Sequence, residues 1–157
     1  DFCASVQVIQ LPRMRVAFNL LKGLFNDSPF QVNYFRHPKM KAAIAATIHR
    51  EQIEVAFVQL IRLGMNLPAE MDEIGSVLDY MDCFSIGMAQ RARESTGLKK
   101  RVFETEARRL KAYESRIAAR FDELAIISDR DAEGLAPAIR EDIHSAVYLV
   151  EEVLPEL

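Results

Sequence analysis

One stretch, Phe121-Asp-Glu-Leu-Ala-Ile-Ile-Ser-Asp-Arg-Asp-Ala-Glu133, limits what this chain can fold into more than any other. Residues 124–127 read as a short buried strand. Ser128 stands where a helix N-cap belongs, and Asp129, Asp131 and Glu133 suit the positive end of a helix dipole. A strand that turns through a cap directly into a helix is the repeating unit of parallel α/β sheets. The rest of the chain looks mostly helical, so this segment moves the expectation from a bundle to a layered α/β fold.

The remaining elements are read from periodicity. In residues 5–11, Val6, Val8 and Gln10 alternate with Gln7, Ile9 and Leu11, which predicts a strand stopped by Pro12. Met14, Ala17, Phe18, Leu21 and Leu24 recur at helical spacing until the breaker Asn26-Asp-Ser-Pro29. Residues 30–35 read as extended chain or loop. Pro38 opens a second amphipathic helix through Met40, Ala43, Ile44, Thr47 and Ile48, to about Glu51. Residues 53–59 form a strand whose branched and aromatic run suits burial on both faces. Gly64 and Pro68 punctuate the next segment, and residues 74–80 form a less marked strand. A helix over 85–94 breaks at Gly97. A long helix over 98–120 follows, with Phe103, Ala107, Leu110, Tyr113, Ile117 and Phe121 as its apolar stripe. A last helix over 140–153 ends before Pro155. Strands separated by helices favour a parallel sheet with right-handed crossovers. Periodicity alone leaves open an all-helical bundle in which the short apolar runs are buried helix segments.

The 157 residues suit one domain able to bury a core without staples. The two cysteines, Cys3 and Cys83, form no disulfide framework, so a reducing, cytoplasmic setting is expected. No apolar run approaches the roughly 20 residues that span a membrane. The start, Asp1-Phe-Cys-Ala-Ser, lacks a signal peptide and reads as a chain entered part-way. A net charge of −3 conceals an asymmetry: residues 91–120 carry ten Lys/Arg against four Asp/Glu, and residues 121–157 two Arg against ten acids. One reading is a solvated basic helix beside an acidic tail. The other is a basic face, Lys99 to Arg120, that meets an anionic membrane surface or a phosphorylated acceptor. No nucleic-acid partner is expected.

Common catalytic constellations are missing from the sequence. It has no Gly-rich dinucleotide or phosphate loop, no Cys-x-x-Cys, and no His pair at metal-ligand spacing, with His37, His49 and His144 far apart. His49 reads as solvated, His37 as an aid to a helix start, and Cys83 as a small buried hydrophobe. Asp82 lies just past the strand at 74–80, where open α/β sheets form ligand crevices. It is a turn or cap residue, or else it contacts an acceptor hydroxyl as a candidate general base. Arg62 stands in the same relation to the strand at 53–59, as a surface or interdomain ion pair or a contact to phosphate or acceptor oxygens. Ser85, three residues after Asp82, is placed to cap the next helix and to join the same contact.

Several ordered segments together carry a resemblance. They are Ile53-Glu-Val-Ala-Phe-Val-Gln-Leu-Ile-Arg-Leu63, Val77-Leu-Asp-Tyr-Met-Asp-Cys-Phe-Ser85, and Glu106-Ala-Arg-Arg-Leu-Lys-Ala-Tyr-Glu114 leading into the stretch at Phe121; Tyr34-Phe-Arg36 and Leu11-Pro-Arg13 also fit. Over about residues 5–135 the chain resembles the N-terminal half of bacterial family-4-type glycosyltransferases, in particular the sugar transferases of exopolysaccharide and exosortase systems. The resemblance implies a Rossmann-like parallel sheet flanked by helices, one half of a GT-B fold. It also implies that this half receives a glycan or lipid-linked acceptor, and that a nucleotide-sugar donor binds a second domain without an essential metal or cofactor. Arg62, Asp82 and Ser85 would then be acceptor-binding. Two features depart from the pattern. The first strand with its glycine-rich loop, expected before residue 1, does not occur, and neither do the Asn-Gly-Val-Asp segment and the donor-site glutamate pair. Residues 136–157 resemble an early helix of the C-terminal domain, which implies a chain shortened or interrupted between about Ala136 and Glu141. The alternative is a non-catalytic fragment or a helical protein-interaction module.

Overall fold

The computed structural model describes residues 3–126. Three helices, α1 (Arg13–Gly23), α2 (Phe30–Phe35) and α3 (Pro38–Glu51), precede strand β1 (Val55–Gln59). Two 3₁₀ helices, Ile61–Asn66 and Ala69–Glu73, lead into β2 (Gly75–Asp79). Helices α4 (Phe84–Arg93) and α5 (Gly97–Ala118) then lead to β3 (Glu123–Ala125). The strands form one parallel sheet in the order β1-β2-β3, with Val58 beside Leu78 and Leu78 beside Leu124. The chain is therefore an α/β protein with a small open parallel sheet and flanking helices, and the all-helical alternative falls away. The expected cap at Ser128, its acidic turn and the helix over 140–153 lie outside the described residues.

Val58, Leu78 and Leu124 from one sheet face share a core with Leu110, Tyr113 and Ile117 of α5. Gly64 belongs to this core rather than to a simple chain break. A Cβ there would overlap the Tyr113 hydroxyl and Ile117 Cδ1, so the 3₁₀ segment reaches α5 only with no side chain at that position. Helix α3 starts as its sequence indicates. Pro38 occupies the first turn, and His37 Nδ1 accepts the Lys39 N–H at 3.1 Å. Its C-terminus closes through Gln52 in the left-handed region (φ 51°), whose N–H returns to the Ile48 carbonyl.

Three expectations need correction. Residues 5–11 carry no regular secondary structure and pair with no strand among the described residues. Ile9 and Leu11 are half-buried while Val6 and Val8 are about four-fifths exposed (78% and 81%), so the alternation is real but the backbone has no ladder to join. Residues 30–35 form helix α2, not a loop. Its cap is tertiary: the Glu106 carboxylate of α5 accepts the N–H groups of Phe30 (2.9 Å) and Gln31 (3.0 Å). No local pattern announces a cap supplied from 75 residues away. Strand β1, finally, is not buried on both faces. Val58 is buried, but Val55 and Phe57 on the other face are 65% and 63% exposed. A continuous apolar run shows that a strand can be covered twice, not that it is.

Candidate functional site

Arg62 and Asp82 leave adjacent parallel strands at their carboxyl ends, Arg62 in the 3₁₀ helix after β1 and Asp82 in the turn after β2. The strand ends are tied together, since the Leu60 N–H donates to the Asp79 carbonyl at 2.9 Å. Both turns are conformationally costly. Three non-glycine residues among those described have positive φ; Gln52 is the cap of α3, and the other two are Leu60 (φ 75°) and Met81 (φ 56°). They stand two residues before Arg62 and one before Asp82. A bulky side chain at positive φ costs of the order of 1–3 kcal/mol, and such strain gathers where a structure holds a group for use. At Met81 the cost is offset in part by the Asp79 carboxylate, which accepts the Met81 N–H at 2.9 Å.

The two residues line one cavity of about 550 Å³, together with Gln31 of α2, Phe84, Gln90 and Arg91 of α4. The Arg62 guanidinium lies over the Phe84 ring, 4.1 Å from its centroid. Burial pulls the Arg62 pKa below its ordinary value, with Asp82 opposing and Arg91 adding to the shift. Arg62 Nε and Gln31 Nε2 are buried donors without an acceptor. Two cations and two amides thus face one carboxylate, a set that suits a ligand rich in acceptor oxygens. An apolar groove of about 380 Å³ lined by Leu20, Phe30, Tyr34 and Phe35 joins this cavity and shares Gln31 and Arg62 with it.

Ser85 is placed differently from its two sequence companions. It is buried, is not among the residues lining the cavity, and does not cap α4, whose first residue is Phe84. The cap comes from α5 instead: Glu114 Oε1 accepts the Ser85 N–H at 2.9 Å. Cys83 Sγ lies 3.4 Å from Ser85 Oγ and 3.8 Å from Glu114 Oε2, so Cys83 sits in a buried polar cluster and is more than a small hydrophobe. Tyr80 closes the cluster by donating its hydroxyl to the Glu114 carbonyl at 2.8 Å. Burial raises the Glu114 pKa, opposed by the hydrogen bonds from Ser85, Cys83 and Phe84. Because this carboxylate already occupies the α4 N-terminus, the positive character of the cavity comes from Arg62 and Arg91.

Periodicity held signals for what the sequence reading missed. Gly87, Gln90 and Arg91 recur at i, i+3 and i+4, so one of them in the cavity brings the others. Glu106 and Glu114 fall on the same helical register as Leu110, Tyr113 and Ile117, and an acid on an apolar stripe points to a specific partner. Gln31 had no such signal. The basic segment 99–120 is partly spent within the molecule: Arg109 of α5 donates to the Gly23 carbonyl (3.0 Å), and Arg120, past the end of α5, to the Pro68 carbonyl (3.3 Å) and Asp72 (2.8 Å).

Among protein-family models, curated proteins and solved structures, none matches this chain. Among the described residues, no group of three or more His, Cys, Asp or Glu is placed to hold a metal ion, and no helix is long and apolar enough to cross a membrane.

Proposed function

We propose that this chain is the acceptor-side, Rossmann-like part of a GT-B glycosyltransferase, which moves a sugar from a nucleotide-sugar donor to a glycan or lipid-linked acceptor in polysaccharide synthesis at the inner face of the plasma membrane. The observation that carries the reading is the convergence of Arg62 and Asp82, from the carboxyl ends of adjacent parallel strands, on one cavity. In this reading Asp82 accepts the hydrogen of the acceptor hydroxyl. The hydroxyl oxygen forms the new bond to the anomeric carbon, its proton passes to the carboxylate, and the nucleoside diphosphate departs with the bonding pair. Arg62 and Arg91 hold acceptor oxygens, phosphate oxygens included. The groups that neutralise the departing diphosphate belong to the donor side.

The test is sugar transfer by the complete transferase, with acceptor concentration varied at saturating donor. Arg62→Ala is expected to raise the acceptor KM with little change in kcat, and Asp82→Asn to lower kcat by a factor of about 100 or more. If both variants stay within about twofold of the parent in both constants, the cavity is not the acceptor site. If no donor supports transfer, the reading as a non-catalytic interaction module takes its place.

A further inference from the structure

Helix α1 is built inside out. Its inward side is Val16, Asn19, Leu20 and Gly23, of which Asn19 and Gly23 are buried and the other two half-buried. Asn19 donates its amide to the Arg36 carbonyl at 2.7 Å, and a Cβ on Gly23 would press on Asn33 Nδ2 and the Phe30 ring at 3.1 Å. The opposite side carries Met14, Phe18 and Leu21 at i, i+4 and i+7, and Leu24 and Phe25 continue the apolar surface past the helix end. These five residues are 54–84% exposed. Single exposed apolar side chains are ordinary, but a run of five large ones is an interaction surface.

The charges identify what the surface fits. Arg13 borders the stripe on one side, Arg15 and Lys22 on the other, at about 100° per residue around the helix. Lys22 Nζ lies 4.7 Å from the centroid of the Phe18 ring. Between Asp1 and Asp27 the chain has no acid. An apolar stripe with cations on both flanks and no anion is the pattern of a helix that lies in a membrane interface, its aromatic and aliphatic side chains among the acyl chains and its cations among anionic headgroups. A second copy of the chain is a poor occupant, because pairing α1 with α1 would set cations against cations.

We infer that α1 is the membrane-docking element of this protein, seated on an anionic lipid surface through Met14, Phe18, Leu21, Leu24 and Phe25 and held there by Arg13, Arg15 and Lys22. The inference stands on the geometry of α1 and does not require transferase activity. It also moves the membrane contact away from the basic segment 99–120, where Arg109 of α5 and Arg120 just past its end are engaged within the molecule.

The experiment is flotation of the full chain with vesicles of phosphatidylcholine alone and of phosphatidylcholine with phosphatidylglycerol. Binding is expected only where phosphatidylglycerol is present. The double variant Phe18→Ser/Leu21→Ser is expected to abolish it. Reversing Arg13, Arg15 and Lys22 to Glu is expected to weaken it by a factor on the order of a hundred, taking about 1 kcal/mol per cation at the surface. All these positions are exposed, so unfolding temperatures are expected to stay unchanged. Arg108→Glu/Lys111→Glu on α5 is expected to leave flotation nearly intact. The proposal is overturned if the α1 variants float like the parent, or if the α5 variant alone loses binding. Sedimentation showing a dimer that Phe18→Ser/Leu21→Ser dissociates, with no vesicle binding by the parent, would overturn it in favour of a second copy.

Discussion

Helices α1 and α5 have the same kind of sequence and opposite orientations. Both carry an apolar stripe at helical spacing. In α5 the stripe points inward with Leu110, Tyr113 and Ile117 in the core, and two glutamates go in with it. In α1 the stripe points outward, and an asparagine and a glycine take the inward side. Polar partners decide the difference. Glu106 and Glu114 meet the open N-termini of α2 and α4, and Asn19 meets the Arg36 carbonyl at the α2–α3 junction. Periodicity therefore shows that a helix has two faces, and the unpaired backbone groups nearby determine which face is turned in.

The comparison breaks most readily on matched truncations. Leu110→Ala is expected to cost about 2–5 kcal/mol in urea unfolding, through lost contact and the cavity left behind. Phe18→Ala removes a larger side chain, yet is expected to stay within about 0.5 kcal/mol of the parent because its ring is already in solvent. Equal losses at the two positions would mean that both stripes are buried.

The glutamate caps come next. Glu114→Ala is expected to cost about 3 kcal/mol, since buried N–H groups at the start of α4 lose their acceptor. The sign of its pH dependence is a sharper check. The folded-state pKa lies above the ordinary value of 4.5, so the folded chain holds the proton more tightly than the unfolded one. The stability this contributes is full below the unfolded pKa and is lost as pH rises through the folded pKa. Lowering the pH through that window is therefore expected to stabilise the parent relative to Glu114→Gln, as read by the difference between their urea midpoints. A difference that stays flat or runs the other way would contradict the buried position of this carboxyl. A smaller loss than at either buried position is expected at Asn19: Asn19→Ala loses one partly buried hydrogen bond, worth about 1 kcal/mol.

Much of the fold was legible in the sequence, for reasons that lie in particular residues. Pro38 with His37 marks the start of α3, Gly97 (φ +60°) opens α5, the apolar runs at 53–59 and 74–80 contain β1 and β2, and the run expected from 124 overlaps β3, which begins at Glu123. What failed depended on distant chain. Helix α2 requires Glu106, the open face of β1 depends on what covers it, and residues 5–11 alternate without a strand to pair with. The candidate site divides the same way. Arg62 and Asp82 could be named because each follows a strand, which is where parallel sheets open. Gln31 joins them only because α2 packs against the 3₁₀ segment. Ser85, adjacent in sequence, is taken up by Glu114.

That two like helices face opposite ways has a direct optical test because the chain contains no tryptophan. With Phe18→Trp as the sole indole, emission in buffer is expected at the long-wavelength position of a solvated side chain, moving to shorter wavelength when phosphatidylglycerol vesicles are added. Emission already at short wavelength in buffer and unmoved by vesicles would mean that the α1 stripe is packed inside the protein as that of α5 is, and both the contrast and the docking surface would be wrong.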